Sequence, residues 1–260
     1  MCRKGAYLIS CAVIVCLILS STVRADLVGW WKLDDGSGTR AIDSSGNANH
    51  GTLQGDPQWV AGKIGGALQF NGVDDFVDVP HNENLTVDNE VTVMAWINAE
   101  RATGPDGATW QGILSKSNNP RSYSFYTRDG NTLHFSAAGF GPVSTSTITL
   151  NEWVHVCAEV INGQVAFYIN GEAAGLSGSG VILPGTADTA DVVIGRTQEG
   201  ANRSFLGMID DVRIYTRALT QSEVQTAMTG EGLPAASSPN PPDGTIQEDT
   251  WITLSWRPGL

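Results

Sequence analysis

Cysteine, basic residues and long apolar runs are scarce in this chain, and each scarcity excludes a class of protein. Only four cysteines occur, so a disulfide-rich scaffold is excluded. Lysine and arginine total 15 against 27 aspartates and glutamates, giving a net charge of −12, which argues against nucleic acid or an anionic membrane as a partner. The main apolar run, residues 8–19, is shorter than the roughly 20 residues that span a bilayer.

The amino-terminal segment has the pattern of a secretory signal. Arg3 and Lys4 precede the apolar run, and Val23 and Ala25 occupy the small-residue positions of a cleavage site. We therefore predict a signal peptide over residues 1–25, cut after Ala25, and a secreted or cell-surface protein with no membrane insertion once the signal is removed.

Without this segment the chain is more acidic and contains a single cysteine. The remaining chain has 12 basic against 27 acidic residues, a net charge of −15, which suits cations such as calcium. Cys157 is then the only cysteine, so no internal disulfide can form. Residues 8–11 resemble a bacterial lipoprotein cleavage box but precede most of the apolar core, so we favour soluble export over lipidation.

Short alternating runs separated by turn residues dominate the rest of the chain. Asp129-Gly130, Asn162-Gly163 and Asn170-Gly171 are strong hairpin signals. The main strands are predicted at 26–33, 65–70, 76–79, 91–97, 123–127, 132–137, 153–161, 164–169, 192–194 and 205–215. Many short strands without a βαβ rhythm indicate an all-β sandwich or jelly roll of two antiparallel sheets.

The carboxyl-terminal part departs from this pattern. Thr220 and Glu223 form a capping box that starts one short helix. We place the main domain at residues 26–230 and a Pro/Ser-rich linker at residues 231–245. Residues 246–260 alternate again and are interpreted as the first strand of a truncated β-sandwich of the immunoglobulin or fibronectin III type.

Asp210 is the residue that most needs an explanation. Strand alternation places Met208, Asp210, Val212 and Ile214 on one face, so a carboxylate falls within an apolar row. A buried ionised aspartate is normally paired, hydrogen-bonded or bound to a metal. A metal, loop N–H groups and an arginine are therefore the alternatives for its partner.

Several motifs occur in the order found in one known family. They are Leu-Asp-Asp-Gly-Ser-Gly at 33–38, Asp-Ser-Ser-Gly-Asn at 43–47, Gly-Gly-Ala-Leu-Gln-Phe-Asn-Gly at 65–72, Ala-Trp-Ile at 95–97, Tyr-Ile-Asn-Gly at 168–171 and Ile-Asp-Asp-Val-Arg-Ile-Tyr at 209–215. The chain thus resembles a laminin-G-like jelly-roll domain of the concanavalin A-like lectin/glucanase superfamily, over about residues 26–228. The resemblance implies a calcium site between the 43–47 loop and the last strand, with Asp43, Asn47 and Asp210 as ligands. Calcium takes six to eight oxygen ligands, so Ca²⁺ is the expected cofactor.

Binding of a glycan or protein is the function that the fold and these residues suggest. Exposed aromatic side chains stack on sugar rings, and amide or charged groups bond the hydroxyls. Candidate ligand-binding residues in predicted loops are Trp59, Arg101, Trp110, Asn118 and Phe140. Each of them also suits a packing role at the edge of a sheet.

Signals for catalysis are missing. The chain has no Glu-x-Asp-x-x-Glu run, no nucleophile elbow and no zinc spacing among its four histidines. We therefore predict an exported, non-catalytic carbohydrate- or protein-binding module for adhesion or recognition, stabilised by calcium and monomeric within a longer extracellular protein. The alternatives are a purely structural spacer domain and, less favoured, a glycoside hydrolase or lyase of the same fold.

Overall fold

The computed structural model describes residues 27–117, 121–138, 141–183, 189–197 and 203–233. The predicted signal peptide, nearly all of the predicted linker and the start of the predicted second domain lie outside the described residues. So do Asn118 and Phe140.

The described residues form sixteen strands and one short α-helix. The strands are β1 Leu27–Trp31, β2 Arg40–Ala41, β3 Gly51–Gln54, β4 Gln58–Ala61, β5 Gly66–Asn71, β6 Phe76–Val79, β7 Glu90–Ala99, β8 Trp110–Ser117, β9 Arg121–Arg128, β10 Thr132–Ser136, β11 Val143–Thr147, β12 Val154–Ile161, β13 Gln164–Ile169, β14 Glu172–Ala173, β15 Val192–Ile194 and β16 Leu206–Tyr215. The helix α1 covers Gln221–Ala227, and single 3₁₀ turns occur at Glu83–Leu85, Pro105–Gly107 and Asp129–Asn131.

Two eight-stranded antiparallel sheets are formed by these strands. The first sheet has the order β14-β13-β12-β7-β16-β5-β4, and β1 pairs with the end of β16 that lies beyond β5. The second sheet has the order β11-β10-β9-β8-β15-β6-β3-β2. Neighbours in the sheets are often distant in sequence, as in a jelly roll, and the predicted all-β sandwich is confirmed.

Local signals in the sequence act as predicted at the hairpins and at the helix. Asn162 and Gly163 both have positive φ, 49° and 78°, which is the turn geometry that joins β12 to β13. Thr220 caps α1 with a complete capping box, in which its side chain and that of Glu223 satisfy each other's backbone N–H groups. No helix in the described ranges is long and apolar enough to cross a membrane.

The main core lies between the two sheets, and a smaller cluster covers the outer face of the first sheet. The large aromatic residues of the main core are Trp31, Phe70, Tyr123, Phe125, Phe135, Phe167 and Phe205. The smaller cluster joins Met94, Cys157 and Tyr215 of the sheet to Leu219, Val224 and Ala227 of the helical segment. The central strands of the first sheet are consequently buried on both faces, and Cys157 is a core residue whose burial raises the pKa of its thiol.

A β-bulge in β16 overturns the predicted alternation around Asp210. Asp210 pairs with Trp96 and Arg213 with Met94, so one extra residue is inserted, and Asp211 adopts a left-handed φ of 49°. Beyond the inserted residue the alternation of side chains between the two faces is reversed. Val212 and Ile214 therefore enter the main core together with Ile209. Asp210 therefore lies on the outer face of the first sheet and not in the apolar row of the core.

Candidate functional site

Asp210 finds its partner in a turn that lies over the outer face of the first sheet. Its Oδ2 accepts a hydrogen bond from the backbone N–H of Ile64 at 2.8 Å, and the residue has no exposed surface. Oδ1 is buried without a hydrogen-bond partner. The pKa of this carboxyl is raised to about 7, mainly by burial and also by the charges of Asp211 and Asp34, which together outweigh the lowering by the backbone N–H groups of Ile64 and Lys63.

Asp43 has a separate and complete set of partners. Its Oδ1 accepts from the backbone N–H groups of Trp30 and Ser45, both at 2.9 Å. Its Oδ2 accepts from the Ser45 hydroxyl at 2.8 Å and from the Asn49 N–H at 2.9 Å. Asn47 donates its amide to the Leu27 carbonyl and to Ser45 Oγ, both at 3.0 Å. This loop is closed by its own hydrogen bonds.

The predicted calcium ligands are not gathered into one set. Asp43 forms a bridge with Trp31, and Trp31 pairs with Val212, so β1 separates the Asp43 backbone from β16 by two strand spacings, ~10 Å. Four hydrogen bonds also use the lone pairs that Asp43 would offer an ion. The described residues contain no group of three or more His, Cys, Asp or Glu arranged around a metal position. Asp43 and Asn47 thus do not fit the ion, and calcium binding stays a prediction.

Two of the predicted ligand-binding residues lie apart from each other and from the rest. Trp59 is in β4, at the edge of the first sheet, where its Nε1 donates to the Gly38 carbonyl at 2.9 Å and its ring packs against the main core. Arg101 follows β7 and donates to the Gly72 carbonyl at 3.0 Å. Trp59 was predicted in a loop and is instead a strand residue.

Trp110 is also a strand residue, and it lies in a group of aromatic and basic side chains. It begins β8 on the outer face of the second sheet, with its ring centroid 6.0 Å from that of His134. The Tyr126 ring lies 5.5 Å from His134, and the guanidinium carbons of Arg203 and Arg128 lie 5.2 and 5.9 Å from the Trp110 centroid. The arginine-aromatic cluster, as we name it, consists of Trp110, Arg121, Tyr126, Arg128, His134 and Arg203.

Buried hydroxyl groups accompany this cluster on the same face. Tyr123 and Phe125 enter the main core, so the alternation of β9 turns Ser122, Ser124 and Tyr126 to the outer face. Ser122 and Ser124 have no exposed surface, and their Oγ atoms have no hydrogen-bond partner. A buried hydroxyl without a partner costs about 1–3 kcal/mol, so such groups indicate a position where a ligand or water adds the missing bond.

His134 is held neutral at the centre of the cluster. Its pKa is lowered to about 4, mainly by burial and also by the charges of Arg128, Arg121 and Arg203, against the raising by the hydrogen bond to the Pro142 carbonyl. Its Nδ1 lies 2.9 Å from the Pro142 carbonyl, so Nδ1 carries the proton and donates to that oxygen. The three arginines therefore supply the positive charge of the cluster, and the imidazole supplies a ring for stacking.

Sequence reasoning found one member of the cluster and missed the others. The period-2 spacing of Tyr126 and Arg128 with Ser122 and Ser124 is visible in the sequence of β9, whereas His134 belongs to the next strand, β10. Their grouping depends on the pairing of His134 with Tyr126 and of Trp110 with Arg128. This register is a tertiary property that one strand alone does not reveal.

Comparison with known proteins agrees with this architecture. Residues 71–225 match the family model Laminin_G_3, described as "Concanavalin A-like lectin/glucanases superfamily". The adhesion G-protein coupled receptor V1 of Danio rerio is 31% identical over 100 residues, which are 35% of this chain. The chain spans only 2% of the length of that receptor.

Solved structures with the same fold include carbohydrate-active proteins. Domain 4 of a GH43 extracellular arabinanase from Geobacillus stearothermophilus, in complex with arabinotriose, is 25% identical, with a TM-score of 0.62 over 78% of this chain and 98% of that one. A sialidase of Trypanosoma rangeli is 20% identical with a TM-score of 0.58, covering 78% of this chain and 32% of the sialidase. The sialidase likeness concerns the fold alone.

Proposed function

The chain belongs to the laminin G family of the Concanavalin A-like lectin/glucanases superfamily, and from this premise we propose that it is a non-catalytic glycan-binding module of an extracellular or cell-surface protein. The observation that carries the proposal is the arginine-aromatic cluster with the buried hydroxyls of Ser122 and Ser124 beside it. Aromatic rings offer stacking surface for sugars, and guanidinium and hydroxyl groups bond sugar oxygens. Domain 4 of the arabinanase, with its bound arabinotriose, supports a carbohydrate ligand for this fold.

The chemistry of the cluster supports binding over catalysis. Glycoside hydrolysis uses two carboxyl groups on either side of the scissile bond, and none of the six members of the cluster is a carboxylic acid. His134 has a carbonyl partner at Nδ1 and a pKa far below neutral, so it is not poised as a general base near pH 7. The receptor of Danio rerio, an adhesion protein by name, supports a recognition role at a cell surface.

A glycan array followed by calorimetric titration tests the proposal, with two tryptophans as a matched pair. Trp110→Ala removes the ring beside His134, and we expect at least about a fivefold loss of affinity, since a stacking contact contributes about 1–3 kcal/mol. Trp59→Ala, in β4 of the other sheet, is expected to keep wild-type affinity. Equal losses in both variants would contradict the placement of the site on the second sheet.

A second substitution separates a ligand role of the buried hydroxyls from a structural one. Ser124→Ala removes an Oγ that has no partner in the unliganded chain, so the free energy of unfolding is expected to stay the same or to rise by about 1 kcal/mol. The affinity for the glycan is expected to fall. Unchanged affinity would remove Ser124 from the site, and an array without any bound glycan would favour the alternative of a structural spacer.

Calcium stabilisation is a separate proposal, because Asp43 and Asn47 are already hydrogen-bonded. Asp210 is the predicted ligand that keeps a buried carboxylate oxygen without a partner, and Asp34 acts on it electrostatically from beside the same turn. Thermal unfolding with calcium or with a chelator tests it. A rise in Tm with calcium that is lost in Asp210→Asn supports the proposal, and equal Tm values in both conditions contradict it.

A further inference from the structure

We propose that Asn162, in the turn that joins β12 to β13, is a site of spontaneous deamidation to aspartate and isoaspartate. Asparagine followed by glycine is the dipeptide that favours this reaction, because glycine has no side chain to hinder its backbone nitrogen. The chain contains Asn-Gly three times, at Asn71, Asn162 and Asn170. The contacts of the three asparagine side chains decide which of them reacts in the folded chain.

The reaction needs only water and the atoms of the turn. The backbone nitrogen of Gly163 loses its proton and attacks Cγ of Asn162, and the side-chain nitrogen leaves as ammonia. Water then opens the resulting five-membered succinimide at one of its two carbonyls, giving aspartate or isoaspartate. Each event adds one negative charge at the tip of the hairpin, and isoaspartate also lengthens the backbone of the turn by one atom. The hairpin belongs to the first sheet, so the arginine-aromatic cluster of the second sheet is not involved.

The turns at Asn162 and Asn170 are matched in sequence and in backbone shape. Each reads Ile-Asn-Gly, at 161–163 and at 169–171. Asn162 and Asn170 have φ of 49° and 52°, and the glycines that follow them have φ of 78° and 77°. Both asparagines are exposed. Local sequence, φ values and exposure therefore do not distinguish the two sites.

The side chain of Asn170 is held by the sheet, and its turn is held by the helix. Its Oδ1 accepts the backbone N–H of His155 at 2.9 Å, and His155 is 1% exposed. The carbonyl of Gly171 accepts hydrogen bonds from the side-chain amides of Gln221 and Gln225 in α1, at 3.0 and 3.2 Å. Ring closure at Asn170 would withdraw the acceptor from a buried N–H, which is energetically costly.

The side chain of Asn162 has no such restraint. Within the described ranges it forms no hydrogen bond, and the turn is held by its backbone alone. The Asn162 N–H donates to the Asn89 carbonyl at 3.0 Å, and the Gly163 carbonyl accepts from the Val181 N–H at 2.9 Å. The Asn162 side chain can thus turn toward the Gly163 nitrogen without breaking a hydrogen bond of its own.

Asn71 provides a second restrained site. Its Oδ1 accepts the backbone N–H groups of Val73 and Asp74 at 2.8 and 3.1 Å, and its Nδ2 donates to Asp74 Oδ1 at 2.8 Å. Ring closure at Asn71 would break these bonds, so we expect Asn71 to react more slowly than Asn162 as well.

Peptide mapping of the full chain by mass spectrometry, over weeks at neutral and at mildly alkaline pH, measures the rate at each asparagine. We expect Asn162 to react at least about fivefold faster than Asn170 in the folded chain, because only Asn170 must leave a buried N–H without its acceptor. In the urea-unfolded chain the two Ile-Asn-Gly sites should react at equal rates. The rate at Asn162 should rise with pH, because the attacking nitrogen must lose its proton.

A matched pair of glycine variants tests the assignment by charge. Asn162→Gly removes the reactive amide at a φ that glycine adopts readily, and the acidic species that accumulates in ion-exchange chromatography should disappear. Asn170→Gly, the same change in the matched turn, should leave that species and its rate of formation unchanged. The Tm of each variant shows that it is folded.

The possible results are distinct. Equal rates at Asn162 and Asn170 in the folded chain, or no product at Asn162, overturn the proposal. A difference that persists in urea also overturns it, because the His155 contact would then not be the cause. A rate at Asn162 that does not rise with pH excludes attack by the Gly163 nitrogen and overturns the reaction proposed.

Discussion

Replacement of Asp210 by asparagine should remove the pH dependence that this residue gives to the stability of the fold. Asparagine keeps the size of the side chain and an oxygen that accepts the Ile64 N–H, but it never ionises. In the wild-type chain the carboxyl is buried under the turn at residues 62–65, with Asp211, Asp34 and Lys63 as the charged groups around it. The substitution therefore removes one ionisation with little change in shape.

The magnitude follows from the difference between the folded and unfolded pKa values. The pKa of Asp210 is about 7 in the folded chain and 3.8 when unperturbed, and at ~1.36 kcal/mol per pH unit this corresponds to ~4 kcal/mol as an upper bound. Between these two values the folded state binds one more proton than the unfolded state. Stability contributed by the protonated carboxyl is thus present near pH 4 and is lost as the pH rises to 7.

Chemical denaturation of both proteins between pH 4 and pH 8, with a chelator present, measures this effect. The difference in unfolding free energy between the Asn variant and the wild type isolates the residue, because the other titrating groups are shared. We expect the variant to gain stability relative to the wild type as the pH rises. A constant difference, or one that falls with pH, would refute a buried acid at this position, and the second result is the one expected for an ionised Asp210 held by a cation.

Three further substitutions address other parts of the molecule. Asp43→Ala removes the acceptor of four hydrogen bonds, and urea unfolding should show a loss of about 3 kcal/mol that calcium does not restore. His134→Gln should abolish a loss of up to ~3 kcal/mol that the wild type suffers as the pH falls from 6.5 to about 4, because protonation is more favourable in the unfolded chain. Gly62→Ala brings a Cβ against the Gly66 carbonyl and to 2.7 Å from Asp210 Oδ2, so Tm should fall by several degrees, and an unchanged Tm would show that the turn yields easily.

The fold was largely predictable because its local signals are mutually consistent. The Asn162-Gly163 turn, the capping box at Thr220 and the strand at 76–79 depend on residues close in sequence, and each lies where the pattern places it. Trp110 was assigned to a loop because the preceding residues are rich in glycine, yet the register with Arg128 makes it the first residue of β8. Pairing with a partner strand thus outweighed local composition.

The environment of Asp210 was less predictable, for a specific reason. Alternation correctly indicated a carboxylate that needs a partner, but the bulge at Asp211 cannot be read from a hydrophobic pattern. The left-handed conformation at Asp211 is one that aspartate tolerates, and its carboxylate accepts a hydrogen bond from Trp30 Nε1 at 2.5 Å and pairs with Arg213. These tertiary contacts of Asp211 accompany the bulge and fix the side of the sheet on which Asp210 lies.

The use of the first sheet for structure gives an independent reason to look for ligand binding on the second. The outer face of the first sheet is covered by α1 and by the turn at residues 62–65, which lies over Asp210. The guanidinium carbon of Arg213 also lies 4.2 Å from the centroid of the Trp30 ring. One buried polar atom of this face, Asp210 Oδ1, lacks a partner, and it lies beneath the turn at residues 62–65. On the second sheet the corresponding face carries Ser122 and Ser124, whose buried hydroxyls lack a partner within the chain. Because buried polar groups are normally satisfied, Ser122 and Ser124 indicate a position on the second sheet where a molecule outside the chain can supply the missing hydrogen bonds.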